Sequence, residues 1–243
     1  PETVAAFFAE PVMGAGGVII PPKSYFPKVQ KVLEKYDILL VADEVICGFG
    51  RTGNMWGSET FSIRPDIVTA AKALSSAYLP ISAVIISEKV YGPIKDQANE
   101  LGIFGHGYTY SAHPVCAAVA MKAQQIMIDR NIIENVRQLS KLFNERIQNI
   151  KNNSWFLRHS RSVGLIGAVE FGYEGNKKFD IKNKIAAKCA KIIQENGVIL
   201  RALPGDIIGF CPPLIIKEEQ INEMFDKIDI AFKNFDETAF NLK

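Results

Sequence analysis

The sequence predicts an α/β protein whose first half is built on a mostly parallel sheet. Short apolar runs at residues 4–9 and 38–42 are typical of strands, and the pattern between them, at 25–35, is helical. A strand, a helix and a second strand at this spacing favour parallel pairing through a crossover. Two further short strands, at 66–70 and 81–86, extend the predicted sheet.

The helix at 25–35 has a defined start and one apolar side. Ser24 precedes it, and serine is a preferred N-cap residue because its side chain can accept a backbone hydrogen bond. Phe26, Val29, Val32 and Leu33 recur on one side at helical spacing. An amphipathic helix is therefore predicted here.

A change of pattern divides the chain into residues 1–133 and 134–243. After a helix that starts at about residue 114, the composition favours a small α+β domain. In this domain the predicted helices span 133–151, 183–196 and about 221–232, and the predicted strands span 163–171, 198–201 and 207–211.

Composition argues against several classes of protein. The 243 residues are 48% hydrophobic with a net charge of +2, which allows a core and gives no reason to expect nucleic acid or an anionic membrane as partner. No apolar run approaches the roughly 20 residues of a membrane span, and no signal peptide is recognisable. Four dispersed cysteines and three histidines lack metal-binding spacing. We expect a cytoplasmic protein with reduced thiols and no metal.

Two residues of the first half are costly to bury unless each has a partner. Asp43 follows the strand at 38–42, and ligands of open α/β folds bind at the carboxyl edge of the sheet. Lys72 follows the apolar run 67–71, a poor setting for a solvated charge. A desolvated amine can form a Schiff base with a carbonyl, and an anion keeps a pyridine nitrogen protonated. The pair therefore predicts a site for pyridoxal phosphate (PLP).

Each candidate also has a plainer interpretation. Asp43 can be a turn acid, and Lys72 an ordinary surface lysine. Thr109 lies in a glycine- and tyrosine-rich loop before a helix, where a hydroxyl can bind phosphate or simply stabilise a turn. Arg201 can grip a carboxylate with its planar guanidinium group, or it can lie in solvent.

The turn Gly48–Gly53 matches the pattern G-x-G-x-x-G, so a nicotinamide-binding Rossmann module is an alternative. That fingerprint should open a helix, and the residues at 54–58 are not typical of one. The alternative is therefore the weaker hypothesis.

Taken in order, the motifs of this chain resemble those of the class III aminotransferases, which have the PLP-dependent transferase fold (fold type I). Each motif is weak, but the ordered set covers nearly the whole chain and is specific. The ω-amino acid:pyruvate transaminases are the most similar subgroup. The motifs are Glu10-Pro11-Val12, Ala42 to Val45, Gly48 to Gly53, Pro65 to Lys72, Pro80 to Val84, Gly105 to Pro114, Arg201 to Gly205 and Cys211-Pro212-Pro213.

The resemblance implies five cofactor contacts. Lys72 would hold PLP as a Schiff base and act as general base and acid, and Asp43 would pair with the pyridinium nitrogen. Val45, placed on the same side as Asp43 by strand alternation, would pack on the ring, with Glu10 supporting the neighbourhood of Asp43. Thr109 would reach the cofactor phosphate of the other subunit in a homodimer.

The resemblance also implies a reaction, the transfer of an amino group from an ω-amino acid or amine to a keto acid such as pyruvate. Arg201 would be the switchable arginine that binds a carboxylate and swings aside for an amine. Trp56 would line the substrate pocket, although a packing role is the plainer interpretation. A 4-aminobutyrate- or semialdehyde-type aminotransferase, an aminomutase, and an inactive fragment are alternatives.

This chain departs from the family in two ways. Ala73, Ala77 and Ala112 stand where the family usually has glycine, and each added methyl group can crowd a tight backbone. The family's upstream half, with its phosphate loop and ring-stacking aromatic residue, is not recognisable. A strand almost at the first residue also favours the C-terminal part of a longer protein. We therefore expect an incomplete site in this polypeptide alone.

Overall fold

The computed structural model describes residues 2–173 and 177–239. The described residues form two compact units, each with a sheet of its own. The first unit comprises residues 2–12 and 21–133, and the second comprises residues 13–20 together with the described residues from 134 onward. Within these ranges, no helix is both long and apolar enough to span a membrane.

The first unit is built on four strands, β1 (Ala6–Ala9), β2 (Leu39–Asp43), β3 (Ile67–Ala70) and β4 (Ala83–Ile86). They lie side by side in chain order. β2 pairs in parallel with both β1 and β3, whereas β4 runs antiparallel to β3. The predicted α/β fold with a mostly parallel sheet is thus confirmed.

The helix α1 (Tyr25–Lys35) has the bounds that the sequence predicts. Phe26 and Leu33 are buried in an apolar cluster against one face of the sheet. Ser24 occupies the N-cap position, but its backbone is helical (φ −87°, ψ −7°) and its side chain makes no capping hydrogen bond. Val32 is 53% exposed, so the buried face is narrower than expected. Packing, and not the predicted cap, therefore stabilises this helix.

Three further helices belong to the first unit, α2 (Gly57–Thr60), α3 (Glu88–Leu101) and α4 (Pro114–Asp129). The sequence does not predict α3, because Gly92 and Pro93 interrupt its pattern and none of its residues is buried. α4 starts at its proline, as expected, since proline lacks only an N–H that the first turn leaves unpaired.

The other face of this sheet carries exposed apolar side chains. Cross-strand pairing places Phe8 opposite Val41, Asp43 opposite Thr69, and Thr69 opposite Val84, so that strand alternation puts all five side chains on one face. Phe8 is 69% exposed and Val84 is 67% exposed. Sheets of this kind are ordinarily covered on both faces. Among the described residues, the face that carries Asp43 is therefore open at its outer strands, whereas Val41 at its centre is only 1% exposed.

The second unit contains an antiparallel sheet of β5 (Leu157–Val163), β6 (Ile166–Phe171), β7 (Arg201–Leu203) and β8 (Ile207–Phe210), in the order β5-β6-β8-β7. The single strand predicted at 163–171 is instead the end of one strand, a tight turn and β6. The strand predicted at 198–201 is shifted, so that Arg201 begins β7 and does not end a strand.

Three helices pack with this sheet, α5 (Ile132–Asn152), α6 (Ile185–Glu195) and α7 (Glu218–Ala239). Their apolar sides and the inner face of the sheet enclose one core. The largest buried side chains of that core are aromatic, and ring stacking adds to their burial. They are Phe143, Phe171, Phe210, Phe225 and Phe235.

A cluster of ionic side chains ties the segment 13–20 to the second unit. Glu170 on β6 contacts Arg158 and Arg161 on β5, the latter at 2.9 Å. Arg161 also donates to the carbonyl oxygens of Gly17 (2.6 Å) and Val18 (2.8 Å). One guanidinium group thus joins the sheet to a loop that is distant in sequence.

Although burial alone would raise it, the pKa of Glu170 is held below its ordinary value by the hydrogen bonds and charges of Arg161 and Arg158. A carboxylate with a lowered folded-state pKa stabilises the protein fully above its unfolded-state pKa. This contribution is lost as the pH falls through the folded-state value.

We expect Glu170→Gln to lower the free energy of unfolding by about 3 kcal/mol at pH 7, because two largely buried arginines lose the carboxylate that both contact. The deficit should shrink as the pH falls from neutral towards 3. Urea unfolding across this range measures both effects. Glu223→Gln, which removes an exposed partner of Lys227, is the control and should cost about 0.3–0.5 kcal/mol. Equal losses in the two variants would contradict the assignment.

Candidate functional site

Asp43 is the last residue of β2 and lies at the carboxyl edge of the parallel strands. Its side chain is half-buried, and its Oδ1 accepts the N–H of Val45 at 3.0 Å. Val45 lies in the turn after β2, so the expected strand alternation does not reach it. A backbone hydrogen bond, and not the strand, therefore relates these two residues.

Lys72 follows β3 directly and opens a 3₁₀ turn, Lys72–Leu74. Asp43 is opposite Thr69 on the neighbouring strand, and Lys72 lies three residues beyond Thr69, so that the Cα atoms of Thr69 and Lys72 are at most about 10–11 Å apart. The expected desolvated setting is wrong for this chain, since Lys72 is exposed. Its backbone is left-handed (φ 45°), which is uncommon outside glycine.

α4 supports the turn that carries Lys72. The side-chain amide of Gln124 donates to the carbonyl oxygens of Ala73 (3.1 Å) and Leu74 (2.8 Å). Sequence reasoning missed Gln124, because nothing in its helical surroundings distinguishes it from a surface glutamine. Thr109 lies, exposed, in the turn that leads into the same helix.

The remaining predicted residues lie at different places. Glu10 follows β1 at the edge that also carries Asp43, and it is half-buried. Trp56 precedes α2 and packs against Phe49, with ring centroids 5.0 Å apart. Arg201 is exposed and belongs to the second unit.

The glycine turn argues against the Rossmann alternative. Gly50 (φ 99°) and Gly53 (φ 91°) have left-handed backbones that favour glycine. The chain then runs through Trp56 into a helix of only four residues, α2. A dinucleotide fingerprint opens a full helix whose N-terminus receives the pyrophosphate. The turn instead brings α2 back to the end of β2.

Glu44 is a second residue that sequence reasoning missed. It has no exposed surface, and its carboxylate accepts the N–H groups of Gly57 (2.9 Å) and Ser58 (2.6 Å). Its partners are 13 and 14 residues away in sequence, so no local pattern identifies it.

Negative charge gathers at this edge of the sheet. Burial raises the pKa of the Cys47 thiol to about 12; the hydrogen bond to Val12 opposes this shift, and the charges of Glu44, Glu10 and Asp43 add to it. The three carboxylates therefore lie close enough to Cys47 to disfavour its thiolate form.

Comparison with known proteins assigns the family. The description "Aminotransferase class-III" matches residues 1–232. The chain is 46% identical over 245 residues to gamma aminobutyrate transaminase 1, mitochondrial, of Solanum lycopersicum, covering 100% of this chain and 47% of that protein. It is 45% identical over 237 residues to the uncharacterized aminotransferase y4uB of Sinorhizobium fredii, covering 96% of this chain and 51% of that one.

The fold agrees with this assignment. A crystal structure of the omega transaminase from Pseudomonas jessenii in complex with PMP matches with a TM-score of 0.94 at 42% identity, covering 100% of this chain and 54% of that one. The chain belongs to the class III aminotransferase family. It spans about half the length of the relatives that it matches.

Class III aminotransferases use PLP, and the residues at this edge fit that cofactor. Asp43 carries a carboxylate and Lys72 an exposed primary amine at the ends of neighbouring strands, and these are the types of group that suit the ring nitrogen and the aldehyde of PLP.

Of the three alanines at positions where the resemblance leads us to expect glycine, Ala77 (φ 60°) and Ala112 (φ 54°) lie in left-handed turns, whereas Ala73 does not. We therefore expect Ala77→Gly and Ala112→Gly each to raise the free energy of unfolding by about 0.5–1 kcal/mol, because the alanine methyl group is strained there.

Ala73→Gly is the matched control and should lower the free energy of unfolding by about 0.5–1 kcal/mol, since it adds only backbone freedom. Chemical denaturation of the three variants measures these changes. A lower free energy of unfolding in all three variants would show that the turns tolerate alanine without strain.

Proposed function

We propose that this chain is the C-terminal part of a PLP-dependent transaminase that moves an amino group from an ω-amino acid or amine to a keto acid such as pyruvate. The first unit would be the second half of the large cofactor domain, and the second unit the small C-terminal domain. The main support for the proposal is the pairing of Asp43 with Thr69, which lies three residues before Lys72.

When bound, PLP supplies an electron sink for the bond between hydrogen and the substrate carbon that bears the amino group. Lys72 Nζ would hold the cofactor and then move a proton to and from the substrate carbon. Asp43 would keep the ring nitrogen protonated through the oxygen that Val45 does not occupy, with Val45 against the ring and Glu10 beside Asp43. Thr109 would bind the cofactor phosphate.

Substrate recognition would rest on two residues. Arg201 is exposed, and no acidic side chain among the described residues of its unit forms an ion pair with it. Its guanidinium group can bind a substrate carboxylate in a bidentate manner. Trp56 is only half-buried, so part of the indole can face a substrate. The relatives named as omega transaminases and as gamma-aminobutyrate transaminases leave the amine donor open between these two classes.

A homodimer in the cytoplasm completes the proposal. The loop around Thr109 exposes large side chains, with Tyr108 at 77% and Tyr110 at 81%, and exposed aromatic groups of this size favour a subunit interface. Free cysteines suit a reducing compartment.

Borohydride trapping tests the cofactor assignment. In the full product of the gene that encodes this sequence, we expect reduction to fix a pyridoxyl group on Lys72, detected as a mass increase on its peptide. Lys72→Ala should lose the adduct and about 10²–10⁴-fold of the rate, because it removes the proton carrier. Lys122→Ala, an exposed lysine of α4, is the control and should retain both. An adduct on another lysine, or none, would falsify the assignment.

Acceptor profiling separates the two amine-donor classes. With pyruvate we expect kcat/KM to be at least about tenfold higher than with 2-oxoglutarate, because the second carboxylate of 2-oxoglutarate needs a cation of its own. Initial rates are measured with each of the two acceptors, once with 4-aminobutyrate and once with an aromatic amine as the donor. A preference for 2-oxoglutarate together with 4-aminobutyrate would instead assign the gamma-aminobutyrate class.

A further inference from the structure

Glu44 is a buried carboxylate that the proposed reaction does not use. Its Oε2 accepts the N–H of Gly57 at 2.9 Å, and its Oε1 accepts both the N–H and the hydroxyl of Ser58 at 2.6 Å. With no exposed surface and both oxygens engaged, it has nothing to offer a ligand. Hydrogen bonds to an ionised acceptor are among the strong ones, so this carboxylate fixes α2 firmly to the end of β2.

The main chain of Glu44 is held as well. Its N–H donates to the carbonyl of Thr69 at 2.9 Å, which continues the pairing of β2 with β3 one residue beyond Asp43. Its carbonyl accepts the N–H of Gly48 at 2.8 Å. A Cβ at position 48 would lie 2.8 Å from that same carbonyl oxygen, so the close approach requires glycine.

The space around the Glu44 side chain is filled. A Cβ added at Gly57 would lie 2.7 Å from the Cβ of Cys47, 2.8 Å from the Cβ of Pro11 and 3.1 Å from Oε2 of Glu44. The backbone of Gly57 is therefore in close contact with the turn after β2, and a side chain at position 57 would push the two apart.

Asp43 depends on that turn. Its Oδ1 accepts the N–H of Val45, and this N–H follows directly after Glu44. The direction of the Val45 N–H thus sets the direction of the Asp43 carboxylate.

We propose that Glu44 is a positioning residue of the cofactor site. By attaching the turn after β2 to the first turn of α2, it holds the Val45 N–H where that group orients the Asp43 carboxylate. This inference rests on the function proposed above, because the orientation of Asp43 matters only if Asp43 meets the ring nitrogen. Glu44 itself touches neither cofactor nor substrate.

Glu44→Gln is the decisive variant. It keeps the shape of the side chain but turns an amide NH₂ group towards one of two backbone donors, so that one buried N–H loses its acceptor. Glu59→Gln is the matched control, because exposed Glu59 accepts a single N–H, that of Trp56 at 3.0 Å, which a glutamine oxygen can still accept.

Three measurements on the full gene product follow the effect. Because one buried donor is left unpaired, we expect roughly tenfold weaker PLP binding in Glu44→Gln and roughly tenfold faster hydrogen exchange at the Val45 amide of the apoprotein. The pH at which the absorbance of bound PLP changes should also shift. Glu59→Gln should stay within about twofold of the wild type in binding and exchange.

Ser58→Ala provides a second variant should Glu44→Gln not fold. It removes only the hydroxyl contact to Oε1 and should give about threefold weaker PLP binding, between the wild type and Glu44→Gln. A lower melting temperature with unchanged PLP binding, unchanged Val45 exchange and an unchanged absorbance curve would overturn the inference. A wild type without PLP on Lys72 rejects the proposed function instead, and Val45 exchange in the apoprotein then still decides whether Glu44 holds the turn.

Discussion

The parallel pairing of β2 with β3 is the constraint on which the candidate site depends. It places Asp43 opposite Thr69, and the N–H of Glu44 extends it by one more hydrogen bond. Because parallel strands end at the same edge of a sheet, a carboxylate and a lysine that are separated by a whole crossover come to neighbouring positions. Neither residue could be placed there by local structure alone.

The helices of the first unit hold the turns that follow β2 and β3 in place. The short helix α2 is attached through Glu44, and α4 is attached through the two hydrogen bonds of Gln124 to the turn after β3. Left-handed backbone at Lys72 and Ala77 indicates a turn that tertiary contacts hold in an unfavourable conformation. The helices therefore contribute to the site by restraining turns.

The sheet face that carries Asp43 is open at its outer strands, where Phe8 and Val84 are exposed. The chain spans about half the length of the relatives it matches. Lys72 is exposed for the same reason as Phe8 and Val84, namely that no described residue covers it. A charge is desolvated only when other atoms exclude water from it. The sequence-based argument from an apolar run at 67–71 could not reveal this, because a run of apolar residues does not specify what covers it.

Local sequence patterns predicted an element correctly where a single apolar side of that element packs against the core. The periodicity at 25–35 predicts α1 with its observed bounds, although the predicted cap at Ser24 is wrong and packing of Phe26 stabilises the helix instead. Local patterns failed where glycine and proline obscure the period, as in α3, and where two strands share one apolar run, as at Val163–Ile166.

The sequence by itself determined the α/β class, the order of the first four strands along the chain, the family and the identity of Asp43 and Lys72 as its chemical candidates. Only the tertiary structure decided that Glu44 and Gln124 restrain them and that Lys72 is exposed in this chain. The physical reason is range. Periodicity and motifs record interactions within a few residues, whereas a buried carboxylate that binds backbone 13 residues away, or an amide that reaches across 50, is specified only by how the elements pack.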